Sequence, residues 1–278
     1  MGCDKVDNNV NHIEHYQLNK LSDLLDSFEC LMDNTVTGKM KSNEDYPNIL
    51  LQAAGKSSLT LRAMVHLCTC GFPDTALILA RQIYEQSILL CYFEQKKQLP
   101  NFQDYVEDYY ADYDLQIAQY NKWQAEKITK DQNKVSQYQQ QIDAIRQKAH
   151  NKKKGAYWWT GYGSFKEIVE FLIGSVNSQY ANHMAITHLL YMRACKEAHA
   201  GVLGNTLRLG SDPDMCGVDN SAKTSGHGLP LYFAVSSFSL IVYIVFGNLG
   251  IDGEKLIKVC DELMDFYAAV DHEEAKGS

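Results

Sequence analysis

Two charged residues lie in an otherwise apolar part of the sequence. Arg81 and Glu85 fall within residues 76–90, where Ala, Leu and Ile dominate. Four residues apart on a helix, their side chains share one face. Charged groups in such a setting are normally paired or functional, because an isolated charge is costly to bury. The pattern indicates either a structural ion pair or half of a functional site in which Glu85 orients the Arg81 guanidinium.

A second candidate group comes from a later helical segment, residues 178–201. His199 follows Arg193 with five residues between them, and an imidazole is the usual proton carrier near neutral pH. Six steps along a helix separate the two side chains by roughly 120°. They therefore converge only near a helix end or on a shared substrate. A core histidine beside a solvated arginine explains the same spacing.

A basic run with neighbouring aromatic residues is the candidate RNA-binding feature. Lys152, Lys153 and Lys154 precede Trp158, whose indole is a candidate stacking surface for a base. The formal net charge of −8 argues against bulk attraction to nucleic acid but not against a local basic groove. The alternatives are a solvated helix end for the lysines and simple packing for the tryptophan.

The segments around these residues predict an all-α, multi-helix bundle over a single domain, residues 1–278. Apolar residues recur at helical spacing, and no alternating strand pattern occurs. Residues 101–150 are polar and predict a projecting helical arm or hairpin with a break near 129–133. Ser164 and Glu167 match a capping box at a helix start. Residues 229–251 carry no charged side chain, which fits a buried central helix or a membrane span; the central helix is favoured.

Motifs for metal or cofactor chemistry are not found in the sequence. Cys68 and Cys70 are one residue apart, without the second pair that a zinc site needs. Phosphate-binding loops and dinucleotide fingerprints do not occur. We therefore expect no metal and no cofactor. Cysteines spread among apolar residues suit a reducing compartment and predict a cytoplasmic protein, with membrane association unexpected.

Three segments together resemble a known family. They are the helix with Arg81 and Glu85 (74–85), the tryptophan loop (157–160) and the late segment 191–201. They resemble a bacterial family of helical proteins filed as a domain of unknown function, DUF5677. The resemblance spans about residues 54–248, with the polar arm inserted between its anchors, and implies a helical fold without a known activity.

The late segment also resembles the Arg-x(4–6)-His motif of HEPN helical ribonucleases. Arg193 and His199 match it, with Ala194 where that family usually has a polar residue. The resemblance implies metal-independent RNA cleavage, a site shared by two protomers and a role in toxin or phage-defence systems. His199 would move a proton, and Arg193 or Arg81 would stabilise charge on the phosphate.

The leading hypothesis is thus a HEPN-like endoribonuclease acting on RNA as a homodimer. Two alternatives belong to other classes. The first is a non-catalytic helical module that binds a partner protein through the 101–150 arm. The second is a small-ligand sensor whose pocket is lined by the 229–251 helix.

Overall fold

A computed structural model describes residues 17–36, 46–198 and 226–277. His199 and the long glycine-containing loop after it lie outside these ranges. The described ranges hold α-helices, one π-helical turn and one short 3-10 helix, with no strand, which confirms the all-α prediction. The helices are α1 Leu18–Val36, α2 Tyr46–Thr69, α3 Pro73–Lys96, α4 Phe102–Gln124, α5 Gln132–Lys148, α6 Phe165–Ser175, α7 Ser178–Ala198, α8 Gly228–Leu249 and α9 Glu254–Gly277.

Local sequence signals set several helix ends. Gly71 adopts a left-handed φ of 80° just after α2, and Pro73 then opens α3, as expected for a residue with a fixed φ and no N–H. Ser164 accepts a hydrogen bond from the Glu167 N–H at the start of α6. The predicted capping box is therefore confirmed.

The chain divides into two compact units. Unit 1 contains the described residues within 1–41, 49–90 and 182–278, and unit 2 contains those within 42–48 and 91–181. The boundaries fall inside α2, α3 and α7, so these helices contribute to both units. The prediction of a single domain over residues 1–278 stays a prediction.

The uncharged helix α8 is a core element of unit 1. Its length and its mean hydropathy of 2.0 would suffice to cross a membrane, yet 72% of its most apolar window is buried within the protein. Phe28 of α1 packs against two of its rings, with centroids 5.0 Å from Phe238 and 5.5 Å from Phe246. The α8 helix also packs along α9. Burial on most sides explains the lack of charged residues.

In unit 2, α4 and α5 form a helical hairpin, as predicted for the polar segment. A π-helical turn, Ala125–Thr129, follows α4, and Lys130 takes a left-handed φ of 53°. Asp131 then caps α5 by accepting hydrogen bonds from the N–H groups of Asn133 and Lys134. The chain reverses within the predicted break, and Leu115 and Ile142 are buried in the hairpin.

The tryptophan loop closes an aromatic core in unit 2. The Trp159 ring stacks on Phe93 with centroids 5.3 Å apart. The Tyr92 hydroxyl donates to the Thr160 carbonyl oxygen at 2.5 Å. Burial raises the pKa of the Tyr92 phenol well above its ordinary value, so the hydroxyl stays protonated as a donor.

Candidate functional site

Arg81 and Glu85 form an ion pair on one face of α3, within unit 1. Arg81 Nε lies 3.4 Å from Glu85 Oε1, and the two side chains are 23% and 26% exposed. No described group accepts a hydrogen bond from Arg81 Nε. The pair is thus sheltered but reachable by solvent, and the Arg81 Nε contact is an ion pair without a hydrogen bond.

Helix α7 lies against this pair and supplies two further contacts. The Tyr191 hydroxyl donates to Glu85 Oε1 at 3.1 Å. Arg81 Nη1 donates to the Cys195 sulfur at 3.9 Å, a weak hydrogen bond because sulfur is a weak acceptor. Polar side chains therefore connect the two helices that the sequence singled out.

A histidine extends the same arrangement. His188 Nδ1 lies 3.4 Å from the Tyr84 hydroxyl oxygen, at the limit of a hydrogen bond, with the donor set by the tautomer. The His188 ring stacks on Tyr191, with centroids 5.4 Å apart and planes at 17°. We call this group the polar cluster; its members are Arg81, Tyr84, Glu85, His188, Tyr191 and Cys195.

Sequence analysis did not select Tyr84, His188 or Tyr191 as site residues. The signal lay in their spacing, because positions 188, 191 and 195 fall on one face of a helix, as do 81, 84 and 85. Periodicity identifies such a face, but it does not say which helix the face contacts. The structure supplies that pairing.

Arg193 is not part of the polar cluster. Arg193 is exposed on α7, while its neighbour Ala194 is fully buried. Two residues beyond Tyr191, Arg193 points roughly 200° around the helix from it. Arg193 therefore lies on the far side of α7 from Arg81. His199 lies outside the described residues.

The polar cluster has the groups needed for proton transfer and for binding an anion. A guanidinium stabilises negative charge on phosphoryl or carboxylate oxygens. The Glu85 carboxylate accepts a hydrogen bond from Tyr191 and faces that guanidinium, and His188 supplies an imidazole, the side chain most often used as a general acid or base. The chemistry favoured by this set is acid–base catalysis on an anionic substrate.

The four predicted RNA-binding residues come together around one pocket in unit 2, which we call the basic pocket. Its volume is about 790 Å³, within the size range of ligand sites. Lys152, Lys153, Lys154 and Trp158 all line it, together with Arg146. Its remaining walls come from α4, from the end of α5 and from the loop between α5 and Trp158.

The cations of the basic pocket differ in whether they already contact groups of the protein. Lys152 Nζ donates to the last carbonyl oxygens of α5, those of Arg146, Gln147 and Ala149. Lys152 thereby caps the negative end of the helix dipole. Lys153 Nζ lies 3.8 Å from Glu167 Oε2. Arg146 and Lys154 are exposed and form no ion pair within the described ranges, so they are the cations best placed to meet an anion.

Trp158 forms part of the pocket wall and is only 8% exposed. Its indole Nε1 donates to Asp112 Oδ1 at 2.6 Å. Burial raises the pKa of Asp112, against the opposing effect of hydrogen bonds from Trp158 and Gln116. The indole ring is thus buried and hydrogen-bonded within the protein. Its position fits the packing alternative better than that of an open surface on which a base could stack.

A buried carboxylate holds the loop that carries the lysines. Asp108, at 1% exposure, accepts hydrogen bonds from the His150 N–H at 2.9 Å, the Asn151 N–H at 2.8 Å and the Asn151 amide at 2.9 Å. The Asn151 amide also donates to the Trp159 carbonyl oxygen at 2.9 Å. These bonds tie α4 to the start of the lysine-containing loop, residues 149–157, which we call the basic loop, and Asn151 links that start to Trp159 just after the loop.

Clusters suited to metal binding are not found in the described ranges, where no three His, Cys, Asp or Glu side chains are grouped around a common point. This observation concerns only those residues.

The fold and the polar cluster define a helical protein with an Arg–Glu–Tyr site between two helices of one unit. The sequence pattern of a family of unknown function, DUF5677, matches residues 48–215, more than half of the chain. The chain belongs to this family, and the matched region includes α3 and α7. No curated protein and no solved structure gives a significant match.

Proposed function

We propose that this protein is a metal-independent endoribonuclease whose active site is the polar cluster. One observation carries the proposal: Arg81, Glu85 and Tyr191 are joined across two helices beside His188, in a sheltered but solvent-reachable position. A purely structural ion pair needs no neighbouring histidine. A phosphate-cleaving site needs both a cation and a proton carrier.

The proposed reaction is an internal displacement on RNA. A histidine takes the proton of a ribose 2′-hydroxyl as the 2′-oxygen forms a bond to the adjacent phosphorus. The bond from phosphorus to the 5′-oxygen breaks, and that oxygen receives a proton from an acid or from water. The products are a 2′,3′-cyclic phosphate end and a 5′-hydroxyl end.

Arg81 stabilises the negative charge that develops on the phosphoryl oxygens in this scheme. Glu85 and Tyr191 act as positioning residues, because they contact the guanidinium directly or through one hydrogen bond. Arg81 is a better candidate than Arg193 because Arg193 is on the opposite side of α7. The histidine is His199, as the HEPN resemblance implies, or His188, which already belongs to the cluster.

The basic pocket is a second proposed contact for RNA. Arg146 and Lys154 would bind backbone phosphates, since they are exposed and form no ion pair within the described part of the chain. Such contacts increase affinity without reading the base sequence.

Cleavage of end-labelled single-stranded RNA in the presence of a chelator tests the activity. We expect wild type to produce 2′,3′-cyclic phosphate ends, and one of His188→Gln and His199→Gln to abolish cleavage while the folded state is retained. Met192→Gln, an exposed position on the helix that carries His188, is the matched control. RNA that stays intact with wild-type protein in all buffers would leave the interaction-module alternative as the better explanation.

A toxin or phage-defence role follows if cellular RNA is the substrate. Induced expression of wild type would then stop growth, and the histidine variant that has lost cleavage would not. Equal growth arrest by both proteins would separate the cellular effect from cleavage.

A further inference from the structure

The outer face of α4 carries a row of large apolar side chains exposed to solvent. They are between 41% and 64% exposed. The row runs from the middle of α4 into the π-helical turn, and we call it the outer stripe; its members are Tyr113, Ile117, Tyr120, Trp123 and Ile128.

The outer stripe faces away from the inside of the hairpin. At 100° per residue, Tyr113, Ile117 and Tyr120 lie within a sector of about 60°. Leu115 and Ala118, which are buried, lie on the opposite side of the helix. The stripe is therefore not the side of α4 that packs in the hairpin.

The stripe is also ordered as a surface. The rings of Tyr120 and Trp123 stack on each other, with centroids 6.1 Å apart and planes at 27°. Aromatic side chains lose little conformational freedom on binding and are enriched at protein interfaces. A pre-stacked pair of them lowers the entropic cost of docking.

The exposed area of two stripes together approaches the lower limit for a specific interface. Half-exposed large side chains offer on the order of 100 Å² each, so the outer stripe presents on the order of 450 Å² of apolar surface. Exposed apolar residues scattered singly over a surface do not form a continuous patch of this size. Two copies would bury about 900 Å², close to the roughly 1,000 Å² of a specific interface, and flanking polar residues would supply the remainder.

Charges of opposite sign lie at the two ends of the stripe. Asp114 is exposed beside Tyr113, and Lys127 is exposed beside Ile128. Along α4 the two are roughly 20 Å apart. Lys127 contacts the adjacent Glu126 at 2.9 Å, an exposed pair that is weak and easily rearranged.

We propose that the outer stripe binds a second copy of this chain, with the two α4 helices antiparallel and the two-fold axis near Tyr120. This register places Tyr113 opposite the partner's Ile128 and Asp114 opposite the partner's Lys127. Each ion pair then occurs twice, as two-fold symmetry requires. A parallel arrangement would instead bring like charges together at both ends. The inference does not rest on RNA cleavage.

Sedimentation equilibrium of the full chain, from about 1 to about 100 µM, tests the dimer, because this range covers the dissociation constants of weak, small interfaces. Wild type is expected to dimerise, and Ile117→Glu to stay monomeric. Leu59→Glu, at an even more exposed apolar position on α2, is the matched control and should leave the dimer intact. A monomeric wild type, or a dimer unaffected by Ile117→Glu, would overturn the proposal.

A charge swap tests the antiparallel register. Asp114→Lys and Lys127→Asp should each weaken dimerisation roughly fivefold, since each disturbs two exposed pairs. The double variant Asp114→Lys/Lys127→Asp should return to within about twofold of wild type. Additive weakening in the double variant would show that the two charges do not meet and would overturn the register. Circular dichroism of each variant checks that the fold is unchanged.

Discussion

The Tyr191 hydroxyl donates to Glu85 Oε1 at 3.1 Å and so links α7 to α3 within unit 1. Glu85 in turn contacts Arg81 Nε at 3.4 Å. The position of the guanidinium thus depends on a phenol from another helix. This dependence makes the contribution of Tyr191 measurable apart from that of the charges.

Tyr191→Phe should loosen the Arg81–Glu85 pair while preserving the packing of the ring. Loss of the hydrogen bond should lower the free energy of unfolding by about 1 kcal/mol. RNA cleavage should fall by a larger factor, about tenfold, because Arg81 is less well positioned. Tyr243→Phe, at an exposed tyrosine of α8, should change neither quantity. Urea denaturation and cleavage rates provide the two measurements; equal effects of the two substitutions would count against the assigned role.

Asp108→Ala should destabilise unit 2 and the basic loop. The buried carboxylate accepts three hydrogen bonds from His150 and Asn151, and its removal leaves those donors unpaired. We expect a loss of about 3 kcal/mol in the free energy of unfolding. Asp143→Ala, at an exposed carboxylate of α5 in the same hairpin, should cost less than about 0.5 kcal/mol. Thermal denaturation of the two variants measures the difference. Similar melting temperatures for both would contradict the structural role assigned to Asp108.

Gly155→Ala should disturb the same loop through the backbone. Gly155 has a φ of 127°, and a Cβ at this position would overlap the carbonyl oxygen of Gly163. The substitution should therefore cost more than about 1 kcal/mol. Gly174→Ala in α6, where a Cβ meets no atom within 4 Å, should instead stabilise the protein by about 0.5 kcal/mol. Chemical denaturation measures the change in the free energy of unfolding for both variants. A Gly155→Ala variant as stable as wild type would contradict the described loop conformation.

Trp158→Phe should produce a destabilisation that depends on pH. Burial raises the pKa of Asp112, and the indole hydrogen bond partly offsets this rise. Without that bond the folded-state pKa of Asp112 rises further. The fold then favours the neutral carboxyl, so stability is lost as pH rises through this pKa and is recovered as pH falls.

The stability difference between Trp158→Phe and wild type should be largest where the Asp112 carboxyl of the folded wild type is ionised, and it should shrink as the pH falls below the raised pKa of that group. Denaturation curves at a series of pH values measure it. Trp123→Phe, at an exposed tryptophan of the same unit, should show no such trend. If the stability difference between Trp158→Phe and wild type does not change with pH, the destabilisation comes from lost packing alone.

Arg146→Ala and Lys154→Ala should each weaken RNA binding and reduce its salt dependence. Each cation that meets a phosphate contributes roughly 0.7 to the slope of log affinity against log salt for a single strand. Lys166→Ala, an exposed lysine of α6 outside the basic pocket, should leave the slope unchanged. Fluorescence anisotropy with a labelled oligonucleotide at several salt concentrations provides the slopes. An identical slope for all three variants would show that RNA does not contact these two cations of the basic pocket.

Local signals in the sequence predicted much of the fold. The Ser164–Glu167 pattern predicted the start of α6, and Gly71 and Pro73 agree with the junction between α2 and α3. These features depend on a few neighbouring residues, whose preferences are strong. The same holds for the break in the hairpin at Lys130 and Asp131.

The partners of the candidate site residues were harder to predict, because they are far apart in sequence. Nothing near Trp158 indicated that its indole would meet Asp112, and nothing near Lys152 showed that its ammonium would cap α5. The face of α7 that contacts α3 was likewise ambiguous. Helical periodicity made Arg193 and Tyr191 equally available, and packing selected Tyr191.

In the proposed reaction, Arg81 of the polar cluster stabilises the transition state of RNA cleavage. The most direct measurement compares single-turnover cleavage rates of Arg81→Gln and Arg193→Gln with wild type, at saturating protein. We predict a loss of about 100-fold or more for Arg81→Gln and less than about twofold for Arg193→Gln, with both variants folded. Comparable rates for Arg81→Gln and wild type would contradict this role of Arg81.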